Sequence, residues 1–191
     1  MKTDIIRIGN DGSGMAEALE QADKVAAYRG LPHKNALHLR LLTEEMMGMM
    51  RSVTGSARGD FWIEDEDGTS TLHLKMTVFT DAAQRQKLLS AASTGKNEAI
   101  RGIMGRIRAF FDPMDGMPVL YDMTTDSTGG DGSWSMRSYQ ELLRVQMEQR
   151  TEGASQAWDE LEKSVVTHVA DDIRVSISGR DVEMVIVKRN G

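Results

Sequence analysis

The chain has 191 residues, 40% of them hydrophobic and 27% charged, and carries a formal net charge of -6. Such a length and balance suit one soluble globular domain, and the net negative charge argues against broad nucleic-acid binding through phosphate contacts. Cysteine is absent, which excludes disulfides, zinc–thiolate sites and thiol nucleophiles. The first residues lack an apolar signal core, and no run approaches the roughly 20 residues of a membrane span. A cytoplasmic protein with no membrane partner is the expectation.

Residues 3–8 are rich in Ile and lead into the turn-like run Gly9-Asn10-Asp11-Gly12-Ser13-Gly14, which predicts a first strand and a turn. Residues 15–29 carry an apolar stripe of Ala16, Leu19, Ala22, Val25 and Ala26, and Gly30 stops that helix. Pro32 opens the next one. Within residues 36–53, Leu39, Leu42, Met46, Met49 and Val53 recur at helical spacing, with the adjacent carboxylates Glu44 and Glu45 in the middle. An ionised carboxylate is not buried without a partner, so at least one of the pair faces water or a cleft. A solvated outer face is the simpler explanation for an isolated pair. The four Met at positions 46, 47, 49 and 50 fit adaptable core filling better than a pliable binding surface.

Residues 55–59 read as a loop, Phe61-Trp62-Ile63 as the start of a strand, Asp65-Glu66-Asp67-Gly68 as a turn and residues 71–79 as the returning strand. The acidic turn lacks the spaced oxygen ligands and closing Glu of a calcium loop. Residues 81–92 and a stretch from 98 or 102 to 111 read as helices, with Asp112-Pro113 as the stop. Residues 114–133 are rich in Gly, Asp and Thr and predict a long exposed loop. Ser135 opens a helix bearing Tyr139, Leu142, Leu143 and Met147, and Glu152-Gly153 separates it from a helix over residues 154–169 with Trp158, Leu161, Val165 and Val169 on one side. Residues 173–177 and 182–187 close the chain as a hairpin. The order predicts an α+β protein, helices on one face of a largely antiparallel sheet.

Ser93-Thr94-Gly95-Lys96-Asn97 superficially matches part of a P-loop, but the earlier Gly would fall at Ser90, Asn97 replaces the hydroxyl residue, and a helix precedes it instead of a strand. Gly102 and Gly105, three apart at a helix start, would let backbone amides approach phosphate, with Lys96, Arg101 and Arg106 adding positive charge. Taken alone, close helix packing explains those glycines better. The four His have no metal-ligand spacing, and no nucleophile elbow or triad is present.

In order, these pieces resemble the histidine-kinase-like ATPase superfamily (GHKL), and within it the bacterial anti-sigma-factor kinases. Leu39-Arg40-Leu41-Leu42-Thr43-Glu44-Glu45-Met46 looks like the start of the family's N-box helix, residues 102–107 look like its second glycine box, residues 93–101 stand where its lid does, and residues 173–187 look like its last strand pair. The likeness covers about residues 3–112 and 172–189. It implies one domain of Bergerat-type ATPase fold, a two-layer sandwich with a mixed, largely antiparallel sheet, in which residues 113–171 are a loop-plus-helices insertion. It also implies Glu45 as the catalytic base of an active member and Lys96, Gly102, Gly105, Arg106 and Asp81 as nucleotide-binding residues, with ATP or ADP as the cofactor.

Two positions depart from the family pattern. Met49 stands where the family has a magnesium-holding Asn, which counts against magnesium because a thioether offers no hard oxygen. The aspartate-glycine box that reads adenine has no match in Thr77-Val78-Phe79-Thr80-Asp81-Ala82, where Asp81 is the one stand-in. The expected function is a cytoplasmic regulatory protein acting through a protein partner, with nucleotide binding weak or lost and no nucleic acid bound. The alternative is an active ATP-binding serine kinase or ATPase of the anti-sigma type. The apolar helices of the insertion could pack on the domain, the favoured use, or form a homodimer surface.

Overall fold

The structure, a computed structural model, describes residues 1–52, 56–79, 131–151, 153–162, 164–178 and 181–190. The predicted helices over residues 81–92 and up to 111, and the loop over residues 114–130, lie outside the described residues. A six-stranded sheet runs in the order β1-β2-β3-β6-β5-β4. Its strands are β1 (Ile6–Gly9), β2 (Ser56–Glu66), β3 (Thr69–Phe79), β4 (Asp131–Ser135), β5 (Asp172–Ser178) and β6 (Asp181–Arg189). Every described pairing is antiparallel. The helices, numbered here in chain order, are α1 (Met15–Tyr28), α2 (His33–Ser52), α3 (Met136–Glu148), α4 (Ala154–Glu162) and α5 (Val165–Val169).

The period-two alternation decides which face is covered. Phe61, Ile63, Leu72, Leu74, Met76, Ile173, Val175, Val182, Met184 and Ile186 are buried, whereas their neighbours Arg58, Asp60, Lys75, Arg174 and Ser176 are exposed. The helices therefore cover one face, and the architecture is α+β with two layers. Small residues on α1 (Ala18, Ala22, Ala26) let it lie close to α2, whose Leu39, Leu42, Met46, Met47, Met49 and Met50 fill the middle of the core. No helix among the described residues is long and apolar enough to cross a membrane.

The end of α1 follows the expected chemistry. Gly30 sits at φ 61, its N–H donates to Ala27 O at 3.1 Å, and the Leu31 N–H donates to Ala26 O at 2.9 Å. This pair of bonds is the Schellman closure that favours Gly. The β2–β3 turn is a two-residue one, with Asp67 at φ 48 and Gly68 at φ 75, the left-handed pair that Asp-Gly suits.

Beside that turn lies a buried polar knot. The Asp65 side chain is fully covered and meets Arg29 Nε at 2.6 Å, while Ser70 Oγ donates to its other oxygen at 2.7 Å. Asn190 joins from the end of β6, its Nδ2 donating to Ser70 Oγ at 2.7 Å and its backbone N–H to Gly68 O at 2.7 Å. The end of α1, the hairpin tip and the last strand are thus tied together at one end of the sheet.

Three local expectations are corrected. Residues 56–59, read as loop, begin β2 and pair on both sides, with β1 and β3. At Gly59 a Cβ would sit 3.0 Å from Lys75 O, so the glycine reflects close packing within a strand. Residues 131–135, also read as loop up to Ser133, form β4; this Gly- and Ser-rich stretch has little strand propensity, and pairing to β5 supplies its structure. As expected, Ser135 caps a helix that is separate from the next one; it ends at Glu148, and Arg150 takes a left-handed position at φ 55. The helix predicted over residues 154–169 is two helices, because Ser164 is extended (φ -77, ψ 121) and Thr167 Oγ1 donates to Leu161 O and Ser164 O, each at 2.7 Å. Such hydroxyl bonds give the backbone an alternative to the helix. The break shifts the stripe by one residue: Val166 is buried at 2% and Val165 is exposed at 56%.

Candidate functional site

Of the residues predicted for a nucleotide site, Glu45 is described, on α2; Asp81, Lys96, Gly102, Gly105 and Arg106 lie outside the described residues. Glu44 points to solvent and forms an ion pair with Arg40 at 3.4 Å, and Arg40 also meets Asp23. Glu45 is half-buried. It belongs to a stripe with His38, Leu41 and Gly48, all half-buried, that runs along α2 beside the fully buried face. Among the described residues, a Cβ added at Gly48 would meet nothing within 4 Å. Burial, followed by the charges of Lys188 and Lys34, lowers the His38 pKa and keeps that ring neutral. Met49, by contrast, is wholly inside the core.

A second feature, a cleft of about 730 Å³, lies at the β1 edge of the sheet. Its floor comes from Arg7 on β1, Arg58 and Asp60 on β2, and Lys75 and Thr77 on β3. Cross-strand pairing aligns Arg7, Asp60 and Lys75 in one row and Gly9, Arg58 and Thr77 in the next. The side chains of Arg7, Arg58, Asp60 and Lys75 stand on the exposed face of the sheet, away from the helices. Asn10, Asp11 and Ser13 of the loop before α1 form the wall.

Local chemistry shapes that wall. Asp11 Oδ1 accepts from the Ser13 N–H at 3.0 Å and from Ser13 Oγ at 2.7 Å, an Asx turn. These bonds, with a smaller contribution from Arg58, hold the Asp11 carboxyl below its ordinary range. Asn10 ties the loop to β2, its Oδ1 accepting from the Ala57 N–H at 3.2 Å. The turn is tight enough that a Cβ at Gly9 would fall 2.5 Å from Asp11 Oδ1, and one at Gly14 would fall 2.1 Å from Arg7 O. The loop thus has a structural reason for its glycines.

No family model matches the chain, and no curated protein and no solved structure is detectably similar to it. The functional argument therefore rests on the residues themselves. Among the described residues, no group of three or more His, Asp or Glu side chains is placed to hold a metal ion. Arg7, Arg58 and Lys75 could hold an anion.

In the sequence, the glycines suited to phosphate are Gly102 and Gly105, and residues 9–14 read as a turn. The cleft is not legible there because its floor joins positions 7, 58, 60, 75 and 77, which only strand pairing brings together. One signal was available: a run with Gly at positions 9, 12 and 14 between a strand and a helix.

Proposed function

We propose that this chain is a cytoplasmic regulatory protein of the histidine-kinase-like type that acts by binding a protein partner, with nucleotide binding weak or lost. The observation that carries the reading is Met49, which lies one helical turn after Glu45 and is sealed in the core. A buried thioether supplies no hard oxygen to a magnesium ion, and phosphoryl transfer depends on neutralising the charge that develops on phosphate. The order of described elements is in keeping with the reading: a strand, two helices and an antiparallel hairpin, with a second hairpin closing the chain. A fold of this type can serve recognition without its chemistry. Isothermal titration with magnesium-ATP and magnesium-ADP tests it. No micromolar binding is expected, and micromolar, magnesium-dependent binding overturns it.

One observation favours the alternative, an active ATPase or serine kinase: Glu45 is half-buried on a stripe where, among the described residues, nothing lies within 4 Å of a Cβ at Gly48, and a general base needs such access to substrate. In that case Glu45→Gln abolishes turnover and leaves ATP binding intact. Purified protein that hydrolyses no ATP, with or without the substitution, removes the alternative.

A further inference from the structure

We propose that the cleft over β1, β2 and β3 binds a small polyanion, phosphoryl or polycarboxylate, held by Arg7, Arg58 and Lys75. The site is independent of the nucleotide question, because these side chains stand on the sheet face opposite the layer that carries Glu45.

Three cations stand together in the cleft lining, one more than the carboxylates there. Neighbouring strands lie about 4.8 Å apart, so the register places Arg7 and Lys75 on either side of Asp60, and Arg58 two residues along the same strand. Two carboxylates, Asp60 and Asp11, thus share the cleft with three cations. Among the described residues, none of the three cations forms an ion pair within 4.0 Å. The carboxylates round the cations have other contacts as well: Asp11 accepts two bonds from Ser13, and Asp181 accepts from Thr77 Oγ1 at 2.7 Å. Glu183 stands opposite Lys75 in the register, outside the cleft lining.

The shape fits the same ligand. Gly9 is paired with Arg58 and adds no side chain to the floor there, and the loop rises as a wall beside it. A volume of about 730 Å³ lies in the range of small-molecule sites. A concave site also strengthens attraction that an open surface would screen.

Calorimetric titration of the whole chain with sodium pyrophosphate and, separately, with sodium citrate tests the proposal. The variants are Arg7→Gln, Arg58→Gln and Lys75→Gln, with Lys34→Gln on α2 as the control. The expected result is saturable binding that weakens with added salt, falls roughly tenfold or more in each cleft variant and is unchanged in the control. Pyrophosphate preference marks a phosphoryl ligand and citrate preference a carboxylate one; either supports the site. Asp60→Asn removes the opposing charge that lies between Arg7 and Lys75 and should tighten binding several-fold, a gain that loss of folding cannot mimic. Absence of saturable binding by both probes up to about 10 mM, equal loss in Lys34→Gln, or no gain in Asp60→Asn overturns it.

Discussion

The indole of Trp62 and the imidazole of His73 lie parallel across β2 and β3, with ring centroids 4.7 Å apart and planes 2° from each other. Lys2 Nζ stands 4.9 Å from the centroid of the Trp62 ring and 3.0 Å from Glu64, which accepts from Trp62 Nε1 at 3.0 Å. His73 is therefore stacked and largely covered, its ring nitrogens without hydrogen bonds although Glu64 and Glu183 lie 3.7 and 3.9 Å away. Burial outweighs both carboxylates, and Lys2 adds to it, so the His73 pKa falls below 6.5. The folded chain keeps this ring neutral where the unfolded chain takes up a proton. Its contribution to stability is complete above pH 6.5 and is lost as the pH falls through the window below. His38 acts in the same direction. The urea midpoint should be lower at about pH 5.5 than at about pH 7.5, and His73→Gln should flatten the difference. A midpoint that rises on acidification contradicts this account.

The contact between Arg29 and Asp65 ties helix to hairpin. Arg29→Ala leaves a covered carboxylate with only Ser70 as partner and should cost on the order of 3 kcal/mol. Ser70→Ala removes one bond to that carboxylate and strands Asn190, at about 1–2 kcal/mol. Urea unfolding measures both. A loss below about 0.5 kcal/mol for Arg29→Ala would mean that the carboxylate is solvated instead.

Two glycines with positive φ should respond differently to the same change. At Gly30 a methyl group meets nothing within 4 Å among the described residues, so Gly30→Ala pays chiefly left-handed strain, about 1–2 kcal/mol. At Gly14 it also collides with the Arg7 carbonyl, and Gly14→Ala should be clearly the worse of the two by thermal melting. The converse holds at Arg150, which occupies a left-handed position without being glycine. Arg150→Gly should stabilise the chain by up to about 1 kcal/mol.

An oxygen-bearing side chain at position 49 of α2 should be costly. Met49→Asn places an amide in a sealed apolar site and should destabilise by about 2–4 kcal/mol, whereas Met49→Leu should cost less than about 1.5 kcal/mol. Chemical denaturation of the two variants separates polarity from shape. Equal losses would show that packing geometry alone matters there.

The layers were legible because periodicity is local. Leu72, Leu74 and Met76 mark one face of β3, and Leu39, Leu42 and Met46 mark the buried stripe of α2, whatever the rest of the chain does. Helix ends were legible only where the usual residue stood at the closing position, as at Gly30; Arg150 and Ser164 closed helices with residues that carry no such signal. Strand β4 was invisible because its pairing partner, β5, lies some forty residues away and supplies what Gly132 and Ser133 lack. For the same reason the acids and bases of the cleft could not be grouped from sequence. Glu45 was legible as a carboxylate in an apolar helix, and its half-buried setting agrees with that much of the reading.

The Met-filled interior has an experimental use. Met46, Met47, Met49, Met50, Met76 and Met184 are sealed from solvent, whereas Met1 and Met147 are 47% and 41% exposed. Peroxide should convert the outer pair to sulfoxide at once and reach the inner ones only when the helix layer lifts from the sheet. The order in which sulfoxides accumulate, read by mass spectrometry, would then time the local openings of this core.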